Sequence, residues 1–309
     1  MKKIRIIKII IFFIIFSSNT FASDEVKKNG FINKSVGLIK SFEINDPKNK
    51  IILIYNHGQD ENDSVKKCTW VSMLRNHASL IDQEINGKKI MVYNLCSNHL
   101  KGDMSQKKDW WYLKPQPKIY KGKHILDKRI ELNLELVEKF VNAGVPKKQI
   151  FVTGHSCGGL TTLLFMSRYP DKAGGGISYM QACFGKLSHK YKVKKIGIEE
   201  AMAKFRKKDQ GPHDLRQKMN DEIKNNLKIP LLAFTHPKDK YEGLLSDWLE
   251  EIPSVKRIVI SKDYKINGKS CTKKGYDWSD KVNKGHDMDV GLCFQYYNPT
   301  ILEYIASRI

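Results

Sequence analysis

The feature that most constrains this chain is an apolar run that ends in a cluster of small residues and passes straight into a second apolar run of helical length. Gln149 to Thr153 reads as a strand, Gly154-His155-Ser156-Cys157-Gly158-Gly159 as a tight turn, and the stretch to about Tyr169 as a helix. A serine inside G-x-S-x-G, with a strand before it and a helix after it, presents its oxygen above a sheet. The flanking glycines let the backbone pass close without Cβ clashes. The helix N-terminus behind it would aim free N–H groups at a developing oxyanion. The competing reading is an ordinary glycine-rich turn with a capping serine.

The rest of the chain has the same alternation. Phe31 to Ile44 reads as one or two early strands, and Ile51 to Tyr55 as a strand buried on both faces, ending in Asn56-His57-Gly58-Gln59. Residues 68–81 could form a helix, and Lys89 to Leu95 the next strand. Leu126, Ile130, Leu134, Val137 and Val141 recur at helical spacing, with Gly144 and Pro146 just beyond. Gly176 to Met180, Ile229 to Thr235 and Val255 to Ile260 are further strands. Such alternation predicts an α/β class: a mostly parallel sheet flanked by helices. Residues 186–228 interrupt it, with 13 Lys/Arg against 6 Asp/Glu and a helical look. They are expected to form a basic helical insertion over the sheet edge, either a lid or a solvated excursion. With no repeat or low-complexity linker in view, residues 23–309 read as one domain.

The N-terminus predicts export. Lys2, Lys3, Arg5 and Lys8 precede an unbroken apolar stretch from Ile9 to Phe16, and Thr20 and Ala22 are small residues suited to signal cleavage. Residues 1–22 are therefore expected to be a secretory signal, bacterial in character, leading to the periplasm or the medium. The apolar core is too short to span a bilayer. The formal charge of +21 falls to about +17 without that segment. Nucleic acid is not the expected partner, because only 8 of the 54 basic residues are Arg and they are scattered. Weak association with an anionic surface stays open, and so does the oligomeric state. In an oxidising compartment Cys68, Cys96, Cys157, Cys183, Cys271 and Cys293 are disulfide candidates, with sequential pairing as the expectation. No C-x-x-C, metal-ligand spacing or phosphate loop is present, so neither metal nor cofactor is expected.

A serine needs a base, and the base needs a third group to orient it. In the chain order serine, acid, histidine, Asp239 follows the strand ending at Thr235, and His286 in Lys284-Gly285-His286-Asp287 is the only histidine after the last strand. Glu242, Asp247 and Asp263 are the alternative acids. His155 is expected to support the turn, Cys157 to pack or form a disulfide, and Trp110-Trp111-Tyr112 to be either a substrate platform or a packed loop.

On His57-Gly58, Gly154-His155-Ser156-Cys157-Gly158-Gly159, Asp239 and Gly285-His286, the chain resembles the α/β-hydrolase superfamily over about Lys50 to Ile309. The likeness is to its dienelactone-hydrolase-like and secreted esterase branches. The resemblance implies an oxyanion hole formed by the N–H of Cys157 and by the backbone at Gly58 or Gln59. Dienelactone hydrolases carry cysteine where this chain has Ser156, so their activity is not implied. The expectation is a secreted serine hydrolase acting on small-molecule or polymeric carboxylic esters through an acyl-enzyme. A serine peptidase or acyltransferase, and a non-catalytic binder of an anionic surface, are the alternatives.

Overall fold

The computed structural model describes residues 30–32, 43–58, 77–95, 125–260, 265–266, 269–270, 285–286 and 294–309. The expected signal segment, most of the helix over 68–81, Gln59, Trp110 to Tyr112, Asp263 and the cysteines at 68, 96, 271 and 293 lie outside the described residues.

The apolar runs become one eight-stranded sheet. β1 (Gly30–Ile32), β2 (Lys50–Asn56), β3 (Glu84–Ile85), β4 (Lys88–Leu95), β5 (Ile150–His155), β6 (Gly175–Tyr179), β7 (Leu231–Thr235) and β8 (Val255–Val259) take the order β1-β4-β2-β5-β6-β7-β8, with β3 on β4. All pairs from β4 to β8 are parallel, and β1 and β3 run antiparallel to β4. This is the helix-flanked, mostly parallel sheet expected from the sequence. A separate ribbon, β9 (Lys265–Ile266) with β10 (Lys269–Ser270), was not anticipated.

Continuous apolar strands imply that both faces are covered, and two cores meet this demand. Ile52, Ile54, Ile150, Val152, Leu231 and Ala233 point to one, and Ile51, Leu53, Tyr55, Phe151, Leu232 and Phe234 to the other. The first core is closed by α1 (Ile125–Asn142) and α2 (Cys157–Arg168). Its wall continues through α3 (Leu187–Lys190), α4 (Val193–Ile196), α5 (Ile198–Lys208) and α6 (Gln210–Asn226), which contribute Leu187, Val193, Phe205 and Ile223. Between β6 and β7, then, the basic stretch is helical and carries an apolar face into the core. Arg168 on α2 ties these layers, donating to Glu222 on α6 at 2.5 and 3.0 Å and to Asp127 on α1 at 2.6 Å. Along α1 the expected core position Val141 is 41% exposed, and fully buried Phe140 packs against Phe31 and Tyr93 instead.

The second core is closed by α7 (Asn298–Ala306), with Ile301 and Ile305 fully buried. β7 begins at Leu231 rather than Ile229 because Pro230 has no N–H for the ladder. The Pro230 carbonyl instead accepts the Tyr304 hydroxyl at 2.8 Å, and that hydroxyl accepts the Gly176 N–H at 3.1 Å. Burial pushes the Tyr304 phenol well above its ordinary pKa, so it stays a donor. No helix among the described residues is long and apolar enough to cross a membrane.

Tyr304→Phe strips the buried Gly176 N–H and Pro230 C=O of their shared partner. It should cost about 1–3 kcal/mol of unfolding free energy, measured by urea titration, with the native circular dichroism unchanged.

Candidate active site

Parallel pairing brings the C-terminal ends of β2, β5, β6 and β7 to one edge, with Asn56 opposite Gly154 and His155 opposite Tyr179. Open α/β sheets bind ligands at this edge. Ser156, the residue after β5, has φ 57° and ψ −120°. A non-glycine residue there carries about 1–3 kcal/mol of strain and persists only if its surroundings over-determine it. They do so here: the Ser156 N–H donates to Tyr179 at 2.9 Å, and its carbonyl accepts from both Leu160 and Ala182 at 3.1 Å. The glycines are steric requirements. A Cβ on Gly158 would land on the Asn56 carbonyl, and one on Gly154 would land on the Gly158 backbone. β5 could then not turn into α2 beside the end of β2.

The structure brings Ser156, His286 and Asp239 into one hydrogen-bonded line. His286 Nε2 lies 2.9 Å from Ser156 Oγ, and its Nδ1 lies 2.9 Å from Asp239 Oδ2. All three are at least 94% buried. With Nδ1–H donating to the carboxylate, Nε2 is left as the acceptor facing the serine. The serine proton has a second acceptor in reach, the Ala182 carbonyl at 3.2 Å. The alternative acids are engaged elsewhere: Arg216 holds Glu242 at 2.6 Å, and Arg257 holds Asp247 at 2.6 Å. Burial still leaves the Glu242 carboxyl above its usual range.

Three supports hold this line, and of them the sequence pointed only to His155. The Tyr241 N–H donates to Asp239 Oδ1 at 2.8 Å, and its ring stacks on His286 at 4.1 Å between centroids, so one residue fixes both partners. His155 Nε2–H donates to the His286 carbonyl at 2.9 Å, and burial with His286 alongside holds this imidazole well below its ordinary pKa. Buried Arg129 on α1 donates to the carbonyls of His57, at 3.1 Å, and Gly58, at 3.4 Å, pinning the loop after β2. No local pattern around Tyr241 or Arg129 announces these roles, because each partner lies on a different element.

The Cys157 N–H is the first of α2 and has no intrahelical carbonyl to meet. Gly58 stands close by, since a Cβ there would lie 3.2 Å from Ser156 Cβ. The Cys157 side chain turns away and forms a disulfide with Cys183, the pair that sequential order predicts. Met180, at φ 44°, bends the chain off β6 so that Gln181-Ala182-Cys183 crosses behind the serine. The bridge encloses a loop of 26 residues, worth about 3 kcal/mol in the chain-entropy picture. No cluster of metal-ligating side chains occurs among the described residues.

No protein-family model and no curated protein matches the sequence. Among solved structures, the chain is similar to a phospholipase/carboxylesterase from Dyadobacter fermentans at 15% identity, over 76% of this chain and 88% of that one, with TM-score 0.39. A metagenome-derived lipolytic enzyme is 9% identical over 84% and 95%, with TM-score 0.48. The monoacylglycerol lipase of Paleococcus ferrophilus is 13% identical over 84% and 95%, with TM-score 0.40. At this level of likeness nothing said of those proteins is carried to this chain. Its own sheet order and the serine turn after β5 are those of the α/β-hydrolase fold.

Replacing both Cys157 and Cys183 by Ala should free the loop that braces the first N–H of α2. Reaction of Ser156 with a small fluorophosphonate, followed by intact mass, should slow about tenfold. A second expectation concerns acid. Burial lowers His236 to about 4 and holds His155 well below its ordinary value, whereas in the unfolded chain both titrate near about 6.5. Between those values the unfolded chain binds more protons, so stability falls as the pH drops through that window. Denaturant titrations at stepped pH should show this slope, and His236→Gln should make it shallower.

Proposed function

We propose that this α/β-hydrolase-fold chain is an exported serine hydrolase that cleaves carboxylic esters through an acyl-enzyme. The observation that carries the reading is the unbroken line Ser156 Oγ, His286 Nε2, His286 Nδ1, Asp239 Oδ2, with 2.9 Å at each hydrogen bond. A strained, buried serine facing an oriented imidazole is costly to maintain and is the arrangement that activates a hydroxyl.

In the acylation step His286 Nε2 takes the Ser156 proton as Oγ bonds to the ester carbonyl carbon. The carbonyl π pair moves onto oxygen, and the Cys157 N–H meets that charge, with Gly58 alongside. Collapse re-forms the carbonyl and breaks the bond to the alkoxide, which leaves with the proton from His286. Water then repeats the sequence in place of Ser156, with His286 as base, and releases the acid. Asp239 keeps Nδ1 protonated and stabilises the imidazolium without taking the proton. Export accords with the basic-then-apolar opening of the sequence and with a disulfide at the site.

Wild-type protein should take one fluorophosphonate on Ser156, located by peptide mapping, and should turn over short-chain nitrophenyl esters. Ser156→Ala should take none, and Asp239→Asn should lower kcat by about 10⁴. An unlabelled wild type with a cooperative melt would overturn the proposal.

A further inference from the structure

Beside the triad is a narrow, solvent-opening pocket bounded by Gln181, Asn220, Arg216, Glu242, Ser246 and Trp248. It adjoins the serine through Ala182, whose N–H and carbonyl both bond to Ser156. The pocket's chemistry is unlike that of a core. Gln181, Asn220 and Ser246 are each at least 93% buried, and of the three the Gln181 side chain has its polar atoms fully buried with no hydrogen-bond partner among the described residues. Both the amide nitrogen and the amide oxygen of Gln181 are in this state. Buried polar groups are almost always paired, so the unpaired amide of Gln181, in a space that Asn220 and Ser246 also line, calls for an occupant.

The occupant's character follows from the donors and acceptors. Two amides and a hydroxyl each offer both. Arg216 gives Nε and Nη2 to the Glu242 carboxylate, at 3.2 and 2.6 Å, and Nη2 also to the Leu245 carbonyl at 3.1 Å. Its Nη1 makes no bond among the described residues and remains a donor. Because Glu242 cancels the Arg216 charge, the pocket offers no net attraction to an ion. It suits a neutral group that donates and accepts at several adjacent atoms, with the Trp248 ring for its carbon skeleton. Met180, in the left-handed region at φ 44°, is the bend that swings Gln181 off β6 toward this space.

The geometry points to a specificity subsite, formed by Gln181, Asn220, Ser246 and Arg216 Nη1, that reads vicinal hydroxyls on the substrate, as in a glycerol or sugar ester. This rests on the proposed ester hydrolysis at Ser156 and deepens it. A site of this kind disfavours a substrate lacking the hydroxyls, since the Gln181 amide would then stay buried and unpaired.

The test pairs two esters that differ only in those hydroxyls, glyceryl monobutyrate and propyl butyrate, followed by pH-stat. Wild type should favour the glyceryl ester by more than about tenfold in kcat/KM, and Gln181→Met and Asn220→Leu should each cut that ratio at least about tenfold. In parallel, ligand-observed NMR should detect binding of the unreactive glyceryl butyl ether to wild type and its loss in both variants. Gln181→Met should also raise Tm by about 2 °C, because it removes an unsatisfied amide; a side chain with a purely structural role would lower it. No preference in wild type, a preference or ether binding that survives both variants, or a lowered Tm overturns the proposal. If Ser156 takes no fluorophosphonate, the esterase reading fails, and the ether measurement still decides the subsite.

Discussion

The site depends on one steric constraint: the chain must leave β5, reverse through Ser156 and start α2 while lying almost in contact with the end of β2. No side chain larger than hydrogen fits at 154 or 158, where a Cβ would strike the Gly158 backbone or the Asn56 carbonyl. Given that crossing, the serine is forced into a left-handed conformation, and three backbone hydrogen bonds repay the strain. Everything functional is then arranged around a point that cannot move. β2 supplies the loop at His57-Gly58, β6 the strand that accepts the Ser156 N–H, and β7 the loop that delivers Asp239.

Around that point the polar groups are held in an interlocking set. Asn56 and Asn133 exchange amide hydrogen bonds at 2.8 and 3.0 Å, joining the end of β2 to α1. One turn earlier on the same helix, Arg129 reaches the next two carbonyls of the loop. Across the site Tyr241, His155 and Asp239 constrain His286 from three sides. Orientation of this kind is what lets a neutral imidazole act as base without first being reorganised.

What was legible in the sequence is what depends on local pattern. The continuous run over β2, the helical stripe of α1 and the glycine-serine turn after β5 are each written within a dozen residues. Chain order alone pointed to Asp239 and His286, and the structure places His286 against the serine and Asp239 against His286. The rest is carried by contacts between distant segments. Arg129 meets the loop 72 residues away, and Arg216 meets Glu242 across 26. The unpaired amide of Gln181 could not be read at all, since being unpaired is a property of its surroundings. Val141 misled for a related reason: helical spacing defines a stripe, and bulky partners such as Phe31 and Tyr93 decide which edge of it is buried.

The grip of Arg129 has an effect on the far side of the loop it holds. A trans peptide carries its C=O and its N–H on opposite edges of one plane. Drawing the His57 oxygen toward the guanidinium therefore turns the Gly58 N–H the other way. A cation buried under the sheet's edge thus sets the compass of a dipole on its surface. In the proposed reaction, the N–H that would meet a negative oxygen is preset by a positive charge that never touches it.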